Sequence, residues 1–395
     1  MSAAASRSAF AAAPAPDQAP APPSALVSDA GARPSPQETA SAPDQRSRAP
    51  LPTAIAPEDL AACQAAIRTG SYSFYAASRL LPRRVREPAL ALYAFCRLAD
   101  DAVDLTEAKT EAVARLRARL DAVYAGAPRD AAADRAFAAA ALASGMPRAL
   151  PEALLEGFEW DAQERRYKTL SALRAYAARV ASSVGAMMCV LMGVRDRDAL
   201  ARACDLGLAM QLTNIARDIG EDAAAGRLYL PLEMMTAEGL DPEAFLADPK
   251  PGPEIARVAK ALLREAERHY RRAEAGVAAL PLDCRTGILA ARHIYGAIGE
   301  RIAAAGYDSV TQRARTSRGA KLSLIALSSL QAAGIAVTPT SAVIHAPPTP
   351  ETEFLIDAAA ESPRRSDPWG DGRFGAFVSA LAALEQKDRA ARQRG

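Results

Sequence analysis

From Pro57 to beyond Glu300 the chain keeps one hydrophobic rhythm, and that rhythm constrains the fold more than any other feature. "APEDLAACQAAIRTG", "VREPALALYAFCRLADDAVDLTEA", "TEAVARLRARLDAVYAG" and "PRALPEALLEGFEWDAQERRY" place apolar residues three and four apart. "LSALRAYAARVASSVGAMMCVLMGV", "DALARACDLGLAMQLTNIARDIGEDAAAG", "EIARVAKALLREAERHYRRAEAGVAAL" and "CRTGILAARHIYGAIGERIAAAG" continue the pattern. That spacing makes one face of an α-helix apolar, and no window alternates β-branched residues at the period of a strand. The fold is therefore expected to be all-α: a single helical bundle with a central cavity, burying roughly three quarters of its unfolded surface. The bundle is expected over residues 57–335, between a leader at 1–56 and a partly ordered C-terminal tail at 336–395.

The leader is rich in alanine, proline and serine without periodicity. Such a stretch buries too little apolar surface to offset its ordering entropy, so disorder is expected. It has no uninterrupted apolar centre of the kind a secretory signal needs. Near the other end, "LSLIALSSLQAAGIAVTPTSAVIHA" carries no formal charge at neutral pH. Gln331, its serines and Pro339 make it a poor membrane span, and a last core helix is the first expectation. The basic run Arg313, Arg315, Arg318 and Lys321 before it offers a second one, contact with an anionic membrane surface.

Charge and composition exclude several functions. Forty-eight basic against 46 acidic residues leave a net charge of +2, without the basic excess of a dedicated nucleic-acid binder. The five cysteines are scattered, odd in number and free of any CxxC pair, which points to buried thiols in a reducing, cytoplasmic compartment. With only three histidines, metal chemistry would have to rest on carboxylates.

Two stretches supply them. "DDAVD" occupies residues 100–104 and "RDIGED" residues 217–222. On a helix, Asp100 and Asp104 lie about 40° apart around the axis and about 6 Å along it, as do Asp218 and Asp222. Asn214 extends the second row by one turn. A solvated acidic face is the plain alternative, and like charges at this spacing destabilise a helix by only a few tenths of a kcal/mol. Three features weigh against it. "ALYAFCRLA" and "LGLAMQLTNIA" lead into the pairs, so the carboxylates arise inside apolar helices and need a polar cleft or bound cations. Arg97 and Arg217 stand at helical reach of the two pairs. "GRLYLP" then brings Arg227 and Tyr229 onto a following loop. Carboxylates with arginines suit a magnesium-bridged phosphate, because magnesium takes few carboxylates and completes its shell with phosphate oxygens and water.

The blocks "SYSFYAASRLLP", "YAFCRLADDAVD", "YAARVASSVG" and "QLTNIARDIGEDAAAGRLYLP" resemble, in order and spacing, those of the squalene/phytoene synthase family over about 62–321. The wording "GSYSFYAASRLLP…YAFCRLADDAVD" is most similar to the phytoene-forming members of purple photosynthetic bacteria. The resemblance implies an isoprenoid-synthase bundle and a head-to-head prenyltransferase, forming phytoene from two geranylgeranyl diphosphates as the first committed step of carotenoid synthesis. It implies a divalent cation, Mg2+ or Mn2+, with no NADPH, and other carotenoid enzymes as partners. Asp100, Asp101 and Asp104 match the first metal motif, and Asn214, Asp218 and Asp222 the second. Ser71, Ser73, Arg97, Arg217 and Arg227 match diphosphate contacts. Tyr93, Tyr176 and Tyr229 match tyrosines near the reacting ends, and Tyr295 is a weaker match. Tyr72 departs from the pattern, since many relatives carry lysine or arginine between the two serines; Arg79 or the Arg313–Lys321 cluster would have to compensate. "GAMMCVLMG" is expected to wall an apolar pocket.

Three alternatives stay open on the sequence. The same chemistry on farnesyl diphosphate would give squalene, dehydrosqualene or hydroxysqualene. A chain-elongating prenyltransferase fits "DDAVD", but Ile219 stands where its second motif repeats aspartate. A non-catalytic assembly protein of this fold would be marked by lost carboxylates, and all are present.

Overall fold

The computed structural model describes residues 54–70, 77–104, 109–335 and 341–363. Most of the expected leader, Ser71, Ser73 and the tail beyond 363 lie outside the described residues, as do the side chains of Asp100, Asp101, Asp104 and Arg318. All regular structure among the described residues is helical.

The expected helices appear as α1 (Pro57–Gly70), α2 (Arg83–Asp104), α3 (Lys109–Tyr124) and α5 (Ala149–Ala162). They continue as α8 (Arg197–Ala224), α11 (Pro253–Gly276) and α12 (Leu282–Ala304), with short α9 (Leu232–Ala237) and α10 (Pro242–Ala247) between α8 and α11. The periodicity missed α4 (Ala132–Ser144). "AADRAFAAAALAS" is alanine on nearly every side and shows no contrast between faces. The helix expected across "LSALRAYAARVASSVGAMMCVLMGV" is two pieces, α6 (Leu170–Ala177) and α7 (Ser183–Leu191), joined by a π-helical turn at Ala178–Ser182.

Local chemistry fixes where α8 begins. The Asp196 carboxylate accepts from the Ala199 amide at 2.9 Å, a cap whose removal typically costs about 1 kcal/mol. From there α8 runs through the centre of the bundle, buried on most sides. Its flanks are α11, the α6–α7 pair and α12. α11 runs antiparallel to it, so that Arg202 meets Gly276 and Asp205 meets His269 further back. One apolar core links these helices to α2, α3 and α5.

Two C-terminal features depart from the sequence reading. α13 (Arg318–Ile335) leans on α12 but leaves Leu322, Leu327 and Leu330 exposed, so only one side of the expected core helix is core. Residues 341–363 are more than a tail. Short 3₁₀ turns at Ala342–His345 and Pro350–Thr352 lead into α14 (Glu353–Ala360), which buries Leu355, Ile356 and Ala359 against α8, α7 and α5.

Candidate active site

An elongated apolar cavity lies between α2, α7, α8 and α12. Along α8 its wall runs Ala199, Arg202, Ala203, Leu206, Gly207, Met210, Gln211 and Asn214, alternating steps of three and one. That is one helical face. Met188, Cys189 and Met192 face it from α7 and the turn after it, so "GAMMCVLMG" is cavity wall as well as core. Tyr93 and Cys96 of α2 and Ile288, Ala291 and Tyr295 of α12 complete it.

At Asn214 the same side of α8 turns polar. Asn214, Asp218 and Asp222 follow one another at four-residue spacing, and all three are buried. Asn214 Oδ1 is buried with no hydrogen-bond partner among the described residues. Asp218 is clamped by two arginines. Arg217 donates to both of its oxygens, at 2.7 and 2.5 Å, and Arg313 Nε donates to Oδ1 at 2.9 Å. Burial pushes the Arg217 pKa down, but its hydrogen bond to Asp218 and that charge outweigh it, and the net shift is upward. Asp222 has the opposite problem. Burial first, then the charge of Asp218, lifts its carboxyl well above the usual range; Asp161 and Glu221 add to this and Arg227 opposes it.

Beside this row sits an aromatic cluster. Tyr176 and Tyr229 stack with centroids 5.3 Å apart, and Tyr167 lies 5.1 Å from Tyr176. Both hydroxyls donate to one carboxylate: Tyr176 to Asp161 Oδ2 and Tyr229 to Asp161 Oδ1, each at 2.9 Å. Burial and then the Asp161 charge hold both phenols well above their ordinary pKa. The guanidinium groups of Arg165 and Arg179 cover the Trp160 ring at 3.9 and 4.3 Å.

The structure places Tyr93, Asn214 and Tyr295 on the wall of one cavity, and Arg217, Asp218 and Asp222 in the next two turns of α8 beyond Asn214. Asp100, Asp101 and Asp104 fall in the last turn of α2, the helix that supplies Tyr93 and Cys96 to that cavity. Arg97, half-buried, precedes them by one turn. Arg227 lies close enough to oppose the shift at Asp222. Tyr176 and Tyr229 are turned toward Asp161 and do not line the apolar cavity. Arg79 is exposed. Arg313 is committed to Asp218 and Glu221, so it leaves the basic run expected to meet a membrane. Asp161 was missed entirely, because "GFEWDAQ" holds no local sign that two distant tyrosines need its oxygens.

The donor chemistry fits a divalent cation. A buried amide oxygen without a donor among the described residues, and a carboxyl lifted by burial and by the neighbouring Asp218 charge, both gain from one. Among the described residues no three His, Cys, Asp or Glu side chains close on a single point. A cation here would therefore need oxygens from beyond α8, such as the α2 aspartates or a substrate phosphate.

An apolar cavity whose α8 wall stops at Asn214, one turn before buried carboxylates and their arginines, set in an all-helical bundle, defines an isoprenoid-synthase fold suited to a hydrocarbon tail with a charged head. The squalene/phytoene synthase family model matches residues 67–320, and the chain belongs to that family of prenyl-transferring enzymes. It is 58% identical to a phytoene synthase of Rhodobacter capsulatus, over 85% of this chain and 98% of that one. It is equally identical to a phytoene synthase of Cereibacter sphaeroides, over 85% and 96%. Among solved structures, a dehydrosqualene synthase bound to a ligand superposes with a TM-score of 0.64 at 29% identity, covering 70% of this chain and 97% of that chain. A squalene synthase from Alicyclobacillus acidocaldarius shares the fold, with a TM-score of 0.59 at 23% identity over 63% of this chain and 95% of that chain.

Proposed function

We propose that this chain is a phytoene synthase. It joins two geranylgeranyl diphosphates head to head through the cyclopropyl intermediate prephytoene diphosphate, with loss of two diphosphates and a proton. The observation that carries the reading is 58% identity to two phytoene synthases across nearly their whole length, against 29% to the dehydrosqualene synthase. Asp100, Asp101 and Asp104 on one side and Asn214, Asp218 and Asp222 on the other would hold Mg2+ or Mn2+, and that cation would neutralise the departing diphosphate. Ser71, Ser73, Arg97, Arg217, Arg227 and Tyr229 would grip the diphosphates. Arg217 is preorganised for this by Asp218, so little reorientation is needed when charge develops. The aliphatic wall would keep water from the allylic cation, and Tyr93 and Tyr295 line the same cavity.

Incubation with farnesyl or geranylgeranyl diphosphate, with and without NADPH, tests the reading by product chromatography. Phytoene from the geranylgeranyl substrate, with a divalent cation and no nicotinamide, is expected. A dependence on NADPH, or a thirty-carbon product in preference, overturns it.

Attachment to an anionic membrane surface belongs to the same reading. No helix among the described residues is long and apolar enough to cross a membrane. A forty-carbon hydrocarbon gains about 0.8 kcal/mol per methylene by staying out of water. The exposed Leu322, Leu327 and Leu330 of α13, with exposed Arg315 just before it, suit that interface. Flotation with anionic liposomes should be lost on Leu322→Ser with Leu330→Ser; wild-type protein that stays with the soluble fraction at low salt refutes it.

A further inference from the structure

We propose that the groove between α11 and α12 is an anion site, built for a phosphate group and separate from the active site. The groove encloses about 340 Å³ and shares no lining residue with the apolar cavity. Its floor reaches α8 at Thr213, whose hydroxyl meets the Tyr270 hydroxyl at 3.1 Å.

The basic stripe on α11 singles this groove out. Arg257, Lys260, Arg264, Arg268 and Arg271 follow one another at steps of three and four, so they share one side of the helix. Three of them hold glutamates: Arg257 pairs with Glu238, Arg268 with Glu265 and Arg271 with Glu267. Lys260 and Arg264 have no carboxylate partner among the described residues, and these are the two that line the groove. Like charges one turn apart repel, and an anion bound between them removes that repulsion.

The rest of the groove is shaped around this pair. Arg292 of α12 supplies a third cation, only 14% exposed and held by Glu274. It lies flat along the helix, since a Cβ at Gly296 would come within 2.6 Å of its Nη1. Its guanidinium sits 5.0 Å from the centroid of the Tyr270 ring. Gly296 and Gly299 leave the α12 wall bare of side chains where the groove is deepest in backbone. Tyr307 closes one end from the left-handed region, with φ 64°, a costly conformation for a bulky residue. Its ring lies 5.5 Å from the Lys260 ammonium and so orients that cation.

Charge decides what the groove takes. Glu267 faces it but is shared between Arg271 and Arg292, at 3.5 and 3.6 Å. Glu300 is exposed at the rim. Three cations against two carboxylates, one of them already engaged, leave a positive lining. A phosphate offers enough acceptor oxygens to take the Arg264 fork and the Lys260 ammonium together. That phosphate can be free diphosphate, which the proposed reaction releases, or the head of an anionic phospholipid; the recognising chemistry is the same.

Two probes test the site on the full chain in EDTA: inorganic diphosphate by isothermal titration calorimetry, and phosphatidylglycerol against phosphatidylcholine vesicles by flotation. Lys260→Gln with Arg264→Gln removes the charge. Ala303→Trp fills the groove from an exposed position and leaves the charge unchanged. Both variants should keep the wild-type melting temperature. Both should weaken binding of one probe by about tenfold or more, the scale of one lost charge-assisted hydrogen bond. Weakened diphosphate binding assigns the free ion, and weakened phosphatidylglycerol binding with diphosphate unchanged assigns the lipid head. Unchanged binding of both probes overturns the site and is the result for an ion held by the active site alone. A loss in the charge variant that Ala303→Trp does not share reports unspecific attraction and overturns it too. Should Ala303→Trp melt low, Ala303→Leu takes its place.

Discussion

Arg313 reaches Asp218 across 95 residues of sequence, with Nε 2.9 Å from Oδ1, because the loop before α13 is laid directly over Gly220. The Gly220 amide donates to the Ser309 carbonyl at 2.9 Å, and a Cβ at Gly220 would run into the Val310 backbone. Glycine between the two aspartates of "RDIGED" is therefore a packing requirement of the site.

Gly220→Ala sets two effects against each other. Alanine gains about 1 kcal/mol of helix propensity over glycine. Pushing the loop away costs about 1–3 kcal/mol in overpacking and removes Arg313 from Asp218. The backbone clash cannot be relieved by a rotamer change, so net destabilisation is expected, together with a fall in kcat. Urea denaturation and steady-state kinetics check both; a stabilised, fully active variant would show that the loop moves freely.

Asp222→Asn should separate function from stability. Removing its charge should lower turnover at least about a hundredfold, the scale of one lost electrostatic contact in a preorganised site. Because the folded Asp222 pKa is raised, by burial first and Asp218 second, its contribution is present below the ordinary aspartate value of 3.8 and is lost as pH rises through the folded value. In metal-free protein near neutral pH the asparagine should thus melt higher than wild type, and added Mg2+ should close the gap. Scans in EDTA and in Mg2+ decide it, and a lower melting temperature for the variant in EDTA rules the account out.

Asp218 and Asp222 were legible because apolar neighbours made carboxylates anomalous, and an anomaly at helical spacing can be seen in one dimension. The α8 face from Ala199 to Asn214 was not read from the sequence, and the cavity wall was legible only in part, through "GAMMCVLMG", whose Met188, Cys189 and Met192 line it. The partners that hold the site in shape were not. Asp161 serves tyrosines 15 and 68 residues away, and Arg202 ties down carbonyls more than 140 residues away. Carbonyl acceptors in particular leave no trace in residue identity. The role of 341–363 was hidden for that reason, and α4 because alanine on all sides gives no period.

Asp161→Ala should cost stability as well as rate. It leaves two buried phenol hydroxyls without their acceptor, and hydrogen bonds to a charged group are worth about 1.5–3 kcal/mol each. Tyr176→Phe in the Asp161→Ala background should therefore cost less than Tyr176→Phe alone. A double-mutant cycle by chemical denaturation measures the coupling; zero coupling would mean that the Tyr176–Asp161 hydrogen bond contributes nothing.

The final prediction concerns acid. Burial alone would raise the Asp205 carboxyl, but the His269 hydrogen bond and the charges of Arg202, His269 and Arg272 outweigh it, and the net shift is downward. A depressed carboxylate contributes stability above its unfolded value, near 3.8, and loses it as pH falls through the folded value. Glu351, which takes hydrogen bonds from Ser171 and Arg174 at 2.7 and 3.1 Å, is shifted the same way despite its burial. Both carboxylates clamp residues 341–363 to the bundle, so that segment should detach first as pH drops below about 4, before the α8–α11 core opens. Hydrogen exchange of the Leu355 and Ile356 amides against those of α8, followed from pH 6 to 3, reads the order directly. In Asp205→Asn the segment should already exchange faster at pH 6 and show a weaker acid dependence. Simultaneous loss of protection in α8 and α14 in the wild type would show that the clamp is not a separate unit.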